Sequence, residues 1–297
     1  MHTRQWTGVT GGGMLGQKLL IILFKFVNVK AVYWVLWLVT PFYMLFSRKS
    51  YKSIYNYFRK QWSMPPLKAF YKTYRNHIVF GQCMFDRLAV FAGQHNVFKL
   101  KFTGYEHVER WMQNKSGIVV ATAHVGNFEI SAYLFGQMQK SMITMTFGGE
   151  SEVITSNRSQ HLQANNITTL NNSTDMSHVF TLRNALLDGQ MVTIMCDRMF
   201  GSEKSIECKF LNGRADFPQG AFALAANANV PVLVVFVMKE KKSVYHAYVT
   251  LLEIDNIEKM KRHEKISAYA NQYVAALETV LHKYPEQWFN FYEFWKE

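Results

Sequence analysis

Residues 123 to 129 read AHVGNFE, with a histidine and a glutamate five positions apart. His124 is the residue type of a general base, and Glu129 that of the carboxylate that fixes a base's tautomer. On one regular helix, positions five apart diverge by about 140°. The two side chains can therefore meet only if His124 precedes the helix and folds back toward Glu129. Gly126 permits the tight turn this needs, and Asn127 suits a helix cap or a substrate contact. In that arrangement Glu129 accepts from one imidazole N–H, while the other nitrogen takes the proton of an attacking hydroxyl. General-base help of this kind is worth roughly 10²- to 10⁴-fold. A turn histidine satisfied by local hydrogen bonds fits the same spacing, and the spacing alone leaves both readings open.

A second polar pair, Asp197 and Arg198, follows the apolar run QMVTIMC. These residues suit either a substrate contact or a mutual ion pair shaping a loop. Other motifs are missing or out of context. GGGMLG at residues 11 to 16 has the dinucleotide-binding spacing, but no buried strand precedes it and no acid follows before Asp86. The chain has no G-x-S-x-G, no Walker motif and no H-E-x-x-H. Cys83, Cys196 and Cys208 are odd in number and lack metal-site spacing. The expectation is chemistry without a cofactor or a metal, in a reducing compartment.

The elements that must position these residues read as α/β. From residue 97 onward, short β-rich runs (VFKLKF, GIVVATA, MITMTF, NITTL, QMVTIMC, VPVLVVFVMK, YHAYVTLLEI) alternate with helical windows. That alternation predicts a mixed, mainly parallel sheet flanked by helices. GIVVATA then delivers His124 to the C-terminal edge of the sheet, where open α/β folds bind substrates. Residues 263 to 283 read as a closing helix, and the aromatic residues from Trp288 to Trp295 as a packed strap.

The first 85 residues differ in kind. They hold twelve Lys and Arg and no Asp or Glu, leaving 21 of the 33 basic residues to face all 21 acidic ones elsewhere. The run AVYWVLWLVTPFYMLF, residues 31 to 46, is apolar but short of the roughly 20 residues of a straight spanning helix. Residues 47 to 62 place Tyr51, Ile54, Tyr55, Phe58 and Trp62 on one helical face with cations largely on the other. Cations interleaved with apolar sequence point to an anionic membrane surface and away from nucleic acid. Two regions are expected: a basic, helical, membrane-associating region over 1–85 and an α/β domain over 86–297.

The block ATAHVGNFE, the stretch MCDRMFGSEKSIECKFLNGRADFPQGAFALAANANVPVLVVFV and the ending YPEQWFNFYEFW together resemble the lipid A late acyltransferase family, whose motif is H-x(4)-D/E. The resemblance covers roughly residues 15 to 297. It implies a glycerolipid-acyltransferase-like fold and catalysis by His124 with Glu129. It also implies acyl carrier protein as donor, a lipid A precursor or other amphiphile as acceptor, and attachment to the cytoplasmic face of the inner membrane. The sequence departs from the family where a tyrosine-arginine-proline run is expected after the third strand. TFGGESEVITSNRSQ stands there, and Arg158 is the nearest candidate for an anion-binding arginine. An acyl-CoA donor, a lysophospholipid acceptor and a membrane lipid-binding protein without turnover remain the rival readings.

Overall fold

Residues Ile118–Thr122 are buried at every position, as befits a central strand covered on both faces. In the computed structural model, residues 27, 29–113, 116–127, 130, 141–146, 166–171, 177–199 and 204–295 are described. Three helices come first: α1 (Val29–Phe46), α2 (Arg48–Asn56) and α3 (Pro66–Phe91). They are followed by β1 (Lys99–Thr103), α4 (Tyr105–Met112), β2 (Ile118–Thr122), β3 (Met142–Thr146), β4 (Ile167–Asn171), α5 (Ser177–Leu187) and β5 (Met191–Met195). The chain continues through β6 (Ser205–Phe210), β7 (Gly213–Pro218), α6 (Gly220–Ala228), β8 (Val232–Lys241), β9 (Val244–Leu251) and α7 (Arg262–Lys283).

Seven strands form one sheet in the order β1-β9-β8-β2-β5-β3-β4. Only the β8–β9 hairpin pairs antiparallel in it, so the expected mixed, mainly parallel sheet is what the chain forms. Each β-rich run singled out in the sequence overlaps one of its strands. The short β6–β7 ribbon stands apart from this sheet. Its residues, SIECKF and GRADFP, alternate charged positions with buried Cys208, Phe210, Ala215 and Phe217 and turn through Leu211 and Asn212, a strand pattern that the sequence reading did not single out.

One face of the sheet buries Val119, Ala121, Val192, Ile194 and Phe236 against α5, α6, α7 and the C-terminal residues. The other buries Ile118, Val120, Met191, Val235 and Tyr245 under Val108 and Trp111 of α4.

The N-terminal helices are joined to this core. In α1, Val29, Tyr33, Leu36, Thr40 and Met44 recur at helical spacing and are buried. Trp34, Leu38, Phe42, Leu45 and Phe46 of the same helix are exposed, Phe46 at 87%. The apolar face that follows α1 does not share that exposure. Ile54, Tyr57 and Phe58 are buried in the main core, so the stretch from 47 to 62 is a solvated basic face over a core, not a helix whose apolar side is available to lipid. Helix α3 begins at Pro66, after the Pro65 break, and runs without interruption through residues 85 and 86. Among the described residues no helix is long and apolar enough to cross a membrane.

Candidate active site

Strands β2 and β5 are parallel neighbours with Ile118 opposite Met191 and Thr122 opposite Met195. Past the last pair, the Cys196 N–H donates to the Thr122 carbonyl at 2.8 Å, so the two chains leave the sheet still in register. The same offset of 73 residues then sets His124 beside Asp197. Imidazole Nδ1 lies 2.8 Å from Asp197 Oδ1, and the His124 backbone N–H donates to Oδ2 at 2.9 Å. A third donor, the Trp288 indole Nε1–H, reaches Oδ2 at 3.1 Å.

The carboxylate is wholly buried, whereas the His124 side chain keeps 21% of its surface exposed. Burial acts to raise the Asp197 carboxyl, and the opposing pull of His124, its hydrogen bonds and Arg198 outweighs it, holding the group at about 2. The acid is therefore ionised near neutrality and can take the Nδ1–H. A neutral imidazole held this way presents Nε2 as its lone-pair nitrogen. A partly open base backed by a buried carboxylate is the arrangement that lets histidine accept a proton and stabilises the imidazolium that results.

The turn after β2 is fixed from below. Gly126 has φ +53°, and a Cβ there would meet the Val237 carbonyl oxygen at 2.0 Å, so only glycine fits. The next amide, of Asn127, donates to that carbonyl at 2.8 Å. The Asn127 side chain is buried, its amide donating to the Cys83 carbonyl at 3.2 Å and lying 3.4 Å from the Tyr245 hydroxyl. The described contacts of that amide thus tie the turn to α3 and β9.

From the other side the C-terminal segment closes on the same turn. Phe289 N–H donates to His124 O and Gly126 N–H to Gln287 O, each at 2.9 Å. Val125 and Trp288 form an antiparallel bridge. Arg198 is directed here as well, its Nη2 donating to Phe289 O at 2.8 Å.

Of the residues expected from the sequence, the structure thus brings together His124, Asp197 and Arg198, with Asn127 beneath them. Glu129 and Arg158 lie outside the described residues. The carboxylate seen on Nδ1 is that of Asp197, a part the sequence reading did not give it. One signal was there: GIVVATAH and QMVTIMCD are runs of equal length, each ending in one polar residue, and adjacent parallel strands set such ends side by side. Trp288 carried no signal apart from the other aromatics near it. Among the described residues no group of three His, Cys, Asp or Glu is arranged to hold a metal ion.

A family model for bacterial lipid A biosynthesis acyltransferases matches residues 71–297. The chain belongs to this family. The match begins within α3 and takes in the whole sheet, the His124 turn and the C-terminal segment. Membership makes the protein an acyltransferase of lipid A biosynthesis, with a lipid as its acceptor. A search of curated proteins found no match to the chain.

Proposed function

We propose that the protein transfers a fatty acyl chain from the thioester of acyl carrier protein to a hydroxyl of a lipid A precursor. His124 is the general base, and the observation that carries this reading is its 2.8 Å contact with the buried Asp197 at the C-terminal edge of β2 and β5. The acceptor oxygen attacks the thioester carbonyl carbon as its proton passes to His124 Nε2. The tetrahedral intermediate then collapses, the C–S bond breaks, and the imidazolium returns the proton to the leaving thiolate. Asp197 holds the imidazole and offsets its charge while it is protonated. Glu129 is assigned to the same edge by the H-x(4)-E motif, and Arg158 and Arg198 to anionic groups of donor or acceptor.

The reaction is assigned to the cytoplasmic face of the inner membrane. Two features support this: the exposed apolar row of α1, and the exposed Arg48, Lys49 and Lys52 that follow it. The cations also suit an acidic donor protein. The test presents purified protein in anionic vesicles with acyl carrier protein or CoA thioesters, and with a lipid A precursor or a lysophospholipid as acceptor. Transfer from acyl carrier protein to the lipid A precursor is expected to dominate. Efficient acylation of the lysophospholipid from CoA, with the precursor untouched, would overturn the substrate assignment.

A further inference from the structure

We infer that Trp288 is a positioning residue for the reaction, acting on His124 through Asp197. The inference rests on the reading of the His124–Asp197 pair given above. Among the described indole contacts, Trp111 and Trp295 donate to backbone carbonyls, of Ser116 and Phe210. Trp288 instead donates to the carboxylate that holds the base.

The ring has no freedom to choose another partner. It is 1% exposed and sits edge-on to Tyr57, Phe210, Phe294 and Trp295, with centroids 5.0 to 5.4 Å away. Its backbone is bridged to Val125, one residue past His124. The strap itself is fixed to β8 by Gln287, whose side chain accepts from Lys239 N–H at 2.8 Å and donates to Lys239 O at 2.7 Å.

A buried carboxylate can rotate about its Cβ–Cγ bond unless both oxygens are engaged. The two donors on Oδ2 fix that rotation, and Oδ1 is thereby aimed at Nδ1. An aromatic residue without an N–H would fill the same space but leave this oxygen with one donor fewer. More of the anion's charge would then fall on the imidazole Nδ1–H, favouring the imidazolium. The acid limb of the rate profile, which reports protonation of the base, moves to higher pH as a result.

The other titratable groups set around Asp197 are Arg198, Tyr273 of α7, Tyr292 of the strap and Cys196. Burial raises the two tyrosines and the thiol away from neutrality, so none of those three titrates within the limb. Burial lowers Arg198 from its ordinary value while Asp197 opposes the shift. Glu129 is kept unchanged in every variant.

The experiment replaces the Trp288 indole by the benzothiophene isostere, which exchanges N–H for sulfur at nearly constant volume, and in parallel uses Trp288→Phe. Hydrogen bonds to charged groups are worth enough to predict a fall in kcat of about 10-fold or more. KM for the acyl donor stays within about twofold, because the ring is 1% exposed and offers substrate no surface to bind. The acid limb shifts up by about half a pH unit. A role in packing alone would lower the melting temperature and scale the rate equally at every pH. In an Asp197→Asn background the isostere should have no further effect on rate or limb. An isostere with wild-type kcat and an unmoved limb overturns the assignment of Trp288. If Asp197→Asn itself leaves rate and limb unchanged, it is the reading of Asp197 that fails, and the role of Trp288 falls with it.

Discussion

Asp197 receives three N–H groups, from the His124 ring, the His124 backbone and Trp288. A carboxylate so occupied is suited to holding an imidazole and poorly suited to binding substrate itself. Asp197→Asn keeps the size but can present an N–H where an acceptor is needed, leaving the imidazole in the wrong tautomer. Acyl transfer is expected to fall about 10²- to 10⁴-fold, read as an initial rate on protein of unchanged secondary structure. The carboxyl's depressed position at about 2 also carries a sign. Its contribution to stability is fully present above the ordinary 3.8 and is lost as pH falls toward 2. The melting-temperature gap between wild type and the Asn variant should therefore shrink over that window. A gap that widened on acidification would contradict the pairing.

At the scale of elements, much of the site could be read in the sequence, and what could not has a physical reason. GIVVATA reads as a strand, and Gly126 as a turn, because apolar runs and glycine constrain the chain locally. The partner of His124 depends on which strand lies beside β2. That is a choice of sheet order, β5 and not β3, which no local pattern encodes. The role of Trp288 was hidden for the same reason, since it is defined by a contact with Asp197 that is distant in sequence.

A buried cluster shows how the N-terminal helices are tied to these strands. Asp86 of α3 accepts from Lys239 of β8 and from the hydroxyls of Tyr33 in α1 and Tyr245 in β9. Lys239 Nζ also donates to Lys242 O at 2.9 Å. Burial raises the Asp86 carboxyl against the pull of Lys239 and its hydrogen bonds. Lys239→Met removes the cation that pairs with a fully buried carboxylate and is expected to cost about 3–5 kcal/mol. The double variant Asp86→Asn/Lys239→Met should cost clearly less, measured by urea unfolding. Equal losses in the two would show that the ion pair does not join the helices to the sheet.

Over the whole molecule, charge and apolar exposure gather at one end of the chain. Twelve cations and no acids lie in residues 1 to 85. Exposed Trp34, Leu38, Phe42 and Phe46 of α1 are joined by exposed Leu67, Phe70 and Tyr71 at the start of α3. Trp37 packs on Tyr74 and Tyr51 on Phe70, so these helices meet along this stretch. Such a surface is suited to lie in a headgroup layer with its cations on anionic lipid. Phe42→Glu/Phe46→Glu should weaken cosedimentation with anionic vesicles by about 10-fold or more, and raised salt should weaken the wild type as well. Vesicle binding indifferent to both changes would exclude α1 as the docking surface.

The proposed reaction turns on one nitrogen of one imidazole. The most direct measurement is the rate at which labelled acyl chains pass from acyl carrier protein to the lipid acceptor with His124→Ala, on protein that unfolds at the wild-type temperature. The His124–Asp197 pair as catalytic base predicts transfer reduced to background. Transfer at the wild-type rate by that folded variant would contradict it.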